Sequence, residues 1–265
     1  EGDCGACSVA ILDPEAEGGP RWRAVNSCLV LLPSLQGQSV VSIEGLADGK
    51  VLHPAQDAMV RHLGSQCGFC TPGVVMTLFE ATYRTDLDAS WKLDDQLCGN
   101  LCRCTGYRPI RAAAREVAGS CPHDRFSVEA ASSTVASRGL EYAAGPQRFF
   151  QPEQFDRLWE ILETHPDARL VAGATDLGLS VTKQYEAFPC LVSVTCLPGM
   201  RAFEPTGTGG LRIGAALPLS ELESRCERGL PPLSRMLRYF ASRQIKNRAT
   251  LGGNLCNASP IGDTA

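Results

Sequence analysis

The chain has 265 residues, 44% of them hydrophobic, and 25 Lys and Arg against 29 Asp and Glu give a formal charge of −4. That is length and apolar content enough for two or three small domains; the acidic balance, with charges interspersed and no basic stripe, excludes a nucleic-acid binder, which needs clustered Lys and Arg. No apolar run approaches the roughly eighteen residues of a membrane span.

From the N-terminus, apolar runs at 8–12, 28–32 and 40–43, separated by Gly, Pro and Gln, are expected strands. From residue 53 the period changes. Pro54 opens a helix with Ala55, Ala58, Met59 and Leu63 on one face, closed by Gly64. Thr71 is the expected cap of a second helix, with Pro72 in its first position. Shorter helices are expected over 94–97, stopped by Gly99-Asn100, and from Pro109 through Val117. Residues 119–146 lose periodicity, collect Ser, Ala and Gly, and read as a linker. Beyond them Phe155, Leu158, Ile161 and Leu162 make a helical face. The stretches 169–172, 191–195 and 211–215 read as strands, and Leu233, Met236, Leu237 and Phe240 mark another helix. The result is an α+β multidomain chain, divided into 1–46, 47–118, the linker 119–146, and 147–265.

Thirteen cysteines are the departure from ordinary composition. Most crowd into the first 104 residues at ligand-like intervals, and their number is odd, which argues against a disulfide scaffold. Cys67-Gly-Phe-Cys70 offers two thiolates from one tight loop, and Cys102-Arg-Cys104 supplies two more. Gly68, Gly99 and Gly106 permit close backbone approach. The helix that follows Cys70 turns its positive end toward this set, worth ~0.3–1 kcal/mol to an anionic cluster. Spacing alone leaves two occupants open, a [2Fe–2S] cluster and a four-cysteine zinc ion. Cys4-Gly-Ala-Cys7 with Cys28 is an incomplete second set. The plant-type C-x4-C-x2-C pattern would put its fourth ligand about five residues before Cys4, upstream of Glu1, so the chain reads as a piece of a longer one, cut inside a motif at each end. Cys98, Cys121, Cys190, Cys196, Cys226 and Cys256 lack ligand spacing and are expected as ordinary small apolar residues.

The strings around these cysteines are more specific than their spacing. Gln66-Cys-Gly-Phe-Cys-Thr-Pro-Gly73 and Gly99-Asn-Leu-Cys-Arg-Cys-Thr-Gly-Tyr-Arg-Pro-Ile110 closely resemble the helical [2Fe–2S] domain of the xanthine oxidase family of molybdenum hydroxylases. Glu1-Gly-Asp-Cys-Gly-Ala-Cys7 resembles the ferredoxin-like domain that precedes it. Leu170-Val171-Ala172-Gly173-Ala174-Thr175-Asp176-Leu177 is similar to the phosphate-binding loop of that family's FAD domain, and Thr250-Leu-Gly-Gly253-Asn254 with Ser259-Pro-Ile-Gly-Asp263 to its second flavin segment. Read from chemistry alone, Gly173 and Gly253 would let backbone N–H groups approach a pyrophosphate, with Thr175 and Asn254 offering hydrogen bonds. Either stretch taken singly is better read as a turn.

The resemblance implies a partial β-grasp ferredoxin-like domain, an all-α [2Fe–2S]-binding helical bundle and a partial α+β FAD-binding domain of the PCMH type. It implies two [2Fe–2S] clusters, one on Cys67, Cys70, Cys102 and Cys104, the other on Cys4, Cys7, Cys28 and the missing cysteine. FAD would meet the loop Leu170 to Leu177 together with Thr250, Gly253, Asn254, Asp263 and Phe240, although Phe240 fits a plain core role equally. Electrons from hypoxanthine or xanthine, oxidised at a molybdopterin centre on a partner subunit or another domain, would pass through the clusters to FAD and then to NAD+, as in the family's xanthine dehydrogenases. The stretch 176–183 also looks like the small subunit of the bacterial members, which makes a hetero-oligomer with a molybdopterin-binding large subunit, in the cytoplasm, the expected setting. No residue of this chain is assigned to acid–base or nucleophilic catalysis. The alternatives are an aldehyde or N-heterocycle dehydrogenase of the same family, since substrate choice lies in the molybdenum part, and a non-enzymatic zinc-binding module.

Overall fold

The computed structural model describes residues 2–134, 138–207, 209–258, 262 and 264. In chain order, β1 (Ser8–Asp13), β2 (Arg21–Asn26) and β3 (Val40–Val41) precede five helices, α1 (Pro54–Arg61), α2 (Thr71–Tyr83), α3 (Ser90–Leu97), α4 (Arg108–Val117) and α5 (Arg125–Ser132). Then come β4 (Leu140–Ala144), β5 (Gln147–Gln151), α6 (Phe155–Thr164), β6 (Arg169–Val171), α7 (Leu177–Thr182) and β7 (Cys190–Ser193). The chain continues through β8 (Phe203–Pro205), β9 (Leu211–Ile213), α8 (Leu219–Gly229), α9 (Pro231–Leu237), α10 (Arg243–Lys246) and α11 (Leu251–Asn257). These residues form two compact units. The first takes Glu1–Cys28, Gln38–Val135 and Ala241–Asn247; the second takes Leu29–Gly37, Ala136–Phe240 and Arg248–Ala265.

In the first unit α2 is apolar on nearly every side and buried from Gly73 to Thr82, so other elements must wrap it. An antiparallel sheet in the order β2-β1-β3 does so on one side. Ala10, Leu12 and Trp22 of the sheet share one core with Val75 and Phe79 of α2, Ile110 of α4 and Phe126 of α5. Trp22, Phe79 and Phe126 meet edge-to-face with centroids 4.9–5.9 Å apart, and Trp22 Nε1 donates to the Phe126 carbonyl at 3.0 Å. The ferredoxin-like and helical stretches therefore share a core.

The structure departs from the sequence expectations in four places. Residues 119–146, expected as a linker, carry α5 and β4. Asp124 accepts from the N–H groups of Phe126 and Ser127 while Ser127 Oγ accepts from Asp124 N, and this reciprocal cap starts a helix that small side chains had disguised. The strand expected over 28–32 is absent. Two short 3-10 turns, Ser27–Leu29 and Leu32–Leu35, take its place, because Pro33 cannot donate to a ladder. The strand is instead Arg21–Asn26, whose polar look hides burial at every position after Arg21; Arg23 is buried there against Asp13 at 2.9 Å. Cys70, not Thr71, caps α2, which makes Thr71 and Pro72 its first two residues. Finally, of the cysteines expected as ordinary apolar residues, Cys190 and Cys226 are buried but Cys98, Cys121 and Cys256 are exposed.

The second unit is built on a sheet in the order β4-β5-β7-β6, antiparallel between β4 and β5 and parallel beyond. Successive residues of β5 serve opposite faces. Phe150 packs with Leu158 and Ile161 of α6, and Phe149 packs with Val171, Ala174 and Leu177. The short antiparallel pair β8–β9 and the helices α8, α9 and α11 complete the unit. Among the described residues, no helix is long and apolar enough to cross a membrane.

Candidate functional site

The loops before α2 and α4 bring the four cysteines of the complete set together. Cys70 and Cys102 are buried, Cys67 and Cys104 exposed. They lie near enough to act on one another's ionisation, Cys67 with Cys104 and Cys70 with Cys102. Burial, reinforced by Cys102, pushes the Cys70 thiol up to about 11. The Phe69 N–H, then Cys104, hold Cys67 below the ordinary thiol range, and Cys104 is raised by Cys67 in return. Burial also pushes Cys102 up, but the hydroxyl and N–H of Thr105 together with Cys70 outweigh it, leaving Cys102 lowered. Each pair thus contains one better thiolate and one better thiol, and a bound cation would favour the thiolate of both. Tyr107 holds the loop in a left-handed conformation at φ 64°. Its hydroxyl accepts from Cys102 N at 2.9 Å, and its own N–H donates to Thr105 Oγ1 at 3.1 Å.

Paired thiols suit a binuclear cluster, which takes two ligands per iron. Among the described residues no three His, Cys, Asp or Glu side chains converge to hold a single ion. In the incomplete set, Cys7 Sγ lies 3.3 Å from Cys28 Sγ. Gly2 N donates to Cys28 Sγ at 3.4 Å, and Asn26 Nδ2 lies 4.0 Å from Cys7 Sγ. N–H groups aimed at sulfur are the contacts that tune cluster ligands. Cys4 is exposed beside them. The two cysteine sets are also joined by hydrogen bonds to the backbone beside Cys4: Leu101 N donates to the Cys4 carbonyl at 2.9 Å, and the Asn100 side chain donates through Nδ2 to the Gly5 carbonyl at 3.3 Å. A Cβ on Gly73 would lie 1.9 Å from that same Gly5 oxygen, so only glycine allows the start of α2 to sit there.

Sequence reasoning missed the segment that holds these loops. α10, with Asn247 after it, belongs to the first unit although it lies far along the chain. Gln244 Nε2 donates to Thr77 Oγ1 at 3.0 Å and to Asn100 Oδ1 at 2.8 Å. Lys246 Nζ meets Asp95 Oδ1 at 2.5 Å with both side chains buried. Glu80, wholly buried in α2, accepts from Ala24 N at 3.0 Å, Gln96 Nε2 at 3.2 Å, Arg243 Nε at 3.1 Å and Asn247 Nδ2. Burial opposes its ionisation, but Arg243 and Arg84 outweigh burial and hold its carboxyl below the usual range. The one sequence signal was a lone carboxylate inside an apolar helix, which demands distant partners.

In the second unit β6 runs into the glycine loop and α7. Val171 and Ala174 are buried, Ala172 and Thr175 half-buried, Leu170 and Asp176 exposed, and Leu177 packs under Phe149. Ala174 adopts φ 62°. A Cβ on Gly173 would lie 1.8 Å from the Arg248 carbonyl oxygen, so this glycine lets the loop press against the backbone that leads into Thr250. The two glycine-rich segments are therefore adjacent. Thr250 Oγ1 accepts from Gly253 N at 3.1 Å, which commits that N–H to capping α11. Asn254 is half-buried and accepts from the Thr264 hydroxyl. Phe240 is buried. Asp263, like 259–261, lies outside the described residues.

Residues 42–115 match the family model of a [2Fe-2S] binding domain, and residues 142–265 match that of the FAD binding domain in molybdopterin dehydrogenase. Xanthine dehydrogenase 1 of Arabidopsis thaliana is 31% identical over 99% of this chain, and xanthine dehydrogenase/oxidase of Rattus norvegicus 29% identical over 99%. This chain is an iron–sulfur and FAD portion of the xanthine dehydrogenase family. It spans 24% of the length of both relatives. Among solved structures, quinoline 2-oxidoreductase from Pseudomonas putida 86 matches this member of the family with 32% identity over 51% of the chain and 74% of its own. The TM-score of that match is 0.37.

Proposed function

We propose that this chain is the electron-transfer portion of a xanthine dehydrogenase that takes electrons from a molybdopterin centre on a partner subunit or domain and delivers them to NAD+. The observation that carries the reading is that the loops before α2 and α4 bring Cys67, Cys70, Cys102 and Cys104 within electrostatic reach of one another. These four thiolates would hold one [2Fe–2S] cluster; Cys4, Cys7 and Cys28, with one further ligand, would hold a second. FAD would lie against Leu170 to Leu177, Thr250, Gly253, Asn254, Asp263 and Phe240. Bound there, each cluster would supply one-electron chemistry, and the flavin would exchange electrons singly or in pairs.

The chain's own residues give those groups their setting. Burial of Cys70 and Cys102 keeps water from one side of the cluster. The Gly2 N–H near Cys28 and the Thr105 hydroxyl at Cys102, 3.1 Å from its sulfur, fix ligand sulfurs in place. The Leu101–Cys4 hydrogen bond sets the spacing of the two cysteine loops. The division into 1–46, 47–118 and 147–265, the molybdopterin-binding large subunit as partner, and a cytoplasmic setting belong to the same reading.

Xanthine is favoured as the substrate because relatives that match 99% of the chain, those of Arabidopsis thaliana and Rattus norvegicus among them, are named xanthine dehydrogenase or xanthine dehydrogenase/oxidase. The test is NAD+ reduction by the assembled enzyme with xanthine, with aldehydes and with other N-heterocycles. Turnover on xanthine is expected. Turnover confined to another substrate would keep the electron-transfer role and move the enzyme to another branch of the molybdenum hydroxylases.

A further inference from the structure

The first unit contains a cavity that no cluster or flavin residue lines. It encloses about 470 Å³ counting its open mouth, and its wall carries Arg21, Arg23, Arg84 and Arg243 with Glu80 and Tyr83. Four guanidinium groups around one space call for a charge count. Arg23 pairs with Asp13 at 2.9 Å. Arg84 uses all its nitrogens, Nε and Nη2 on Asp86 at 3.0 and 2.6 Å and Nη1 on Gln96 Oε1 at 2.6 Å. Glu80 is saturated by the donors described above.

Arg243 is different. It is 8% exposed, its Nε donates to Glu80 at 3.1 Å, and among the described residues neither Nη1 nor Nη2 has an acceptor. Arg21, on the exposed rim, likewise has no acceptor among them. Burial, then the like charges of Arg84 and Arg23, push the Arg243 guanidinium down despite Glu80, so negative charge in the cavity would relieve it. Nη1 and Nη2 both keep access to solvent and Arg243 lines the cavity, so these donors, which have no protein acceptor among the described residues, are met there by water, an ion or a ligand.

We propose that this cavity binds a small oxyanion, a phosphate or a carboxylate, on Nη1 and Nη2 of Arg243, with Arg21 closing on it from the rim. A guanidinium presents two parallel donors to two oxygens of one such group, which a chloride ion cannot match. Arg243 also carries the Glu80 pair and adjoins Gln244, so occupancy would brace the segment that holds the cysteine loops.

The test is calorimetric titration of the cofactor-loaded protein with inorganic phosphate and with acetate, against sodium chloride at equal ionic strength, with melting temperature as a second readout. Phosphate, acetate or both are expected to bind and to raise the melting temperature above the chloride control, and the tighter of the two tells which source the site suits. Arg21→Gln, an exposed change that leaves the fold intact, should weaken binding about tenfold, roughly 1.4 kcal/mol. Arg243→Lys, which keeps the charge beside Glu80 but loses the fork, should weaken it further at unchanged cluster content. Equal behaviour in phosphate, acetate and chloride, or binding that neither variant weakens, would overturn the proposal.

Discussion

Gly173 shows how one absent carbon can bear on the candidate flavin site. Its resemblance to a phosphate-binding loop suggests close approach of a ligand, yet the nearest atom to a new Cβ is the Arg248 carbonyl oxygen at 1.8 Å. The glycine is required by packing, and the packing sets two cofactor segments side by side. Gly173→Ala should cost about 1–3 kcal/mol, as overpacking does, and should lower the flavin content of purified protein. Equal melting temperature and flavin content in the variant would refute this. Gln244 acts at the same scale on the cysteine loops. Gln244→Ala removes a donor shared by Thr77 and Asn100 and should cost about 1–3 kcal/mol for the buried partners it strands. Its second readout is the electron paramagnetic resonance of the reduced clusters, expected to shift because Asn100 holds the Gly5 carbonyl. A stability loss with unchanged spectra would assign Gln244 to the fold alone.

Among the elements, α1 carries a pH-dependent cap. His53 Nδ1 accepts from Ala55 N at 3.1 Å, so its proton resides on Nε2, which reaches Tyr83 Oη at 2.9 Å; Tyr83 in turn donates to Asp124 Oδ2 at 2.5 Å. Burial pushes His53 from 6.5 down to about 4, with Asp124 opposing only in part. The folded pKa lies below the unfolded one, so the unfolded chain binds the extra proton between those values. Stability is full above about 6.5, falls as pH drops toward about 4 and levels off below it, a loss of roughly 2–4 kcal/mol at ~1.4 kcal/mol per pH unit. His53→Gln should flatten this slope in urea melts at stepped pH. An unchanged slope would place the titration elsewhere.

Elements also show what could be read from the chain in advance. α2, α4 and α6 were legible because apolar period and proline placement are local signals, and the cysteine sets were legible because their ligands come from tight loops. β2 was not, since the burial of Arg23 depends on its pairing with Asp13 and on the arginine-lined cavity, which no local pattern shows. α5 was hidden by small side chains, and its one large anchor, Phe126, acquires meaning only against Trp22 and Phe79. The clamp of Arg243, Gln244, Lys246 and Asn247 was out of reach for the same reason: each contact spans more than a hundred residues of sequence.

For the molecule as a whole, each unit has its own core, and the first is closed by a segment that returns to it late in the chain. Glu80 is the hub of that closure. Glu80→Ala would leave Arg243 buried without its carboxylate and should cost roughly 3–5 kcal/mol; Glu80→Gln, which still accepts from Ala24 N, should cost less. Urea unfolding of the cofactor-loaded protein checks the order. Both variants matching the parent would mean the late segment is dispensable.

The central claim is that the cysteine sets hold iron–sulfur clusters, and metal analysis tests it most directly. Anaerobically purified protein should contain iron and acid-labile sulfide in equal amounts, and Cys70→Ser should remove one cluster's share of both while leaving flavin in place. Zinc without labile sulfide, or iron content indifferent to Cys70 and Cys102, would contradict the account.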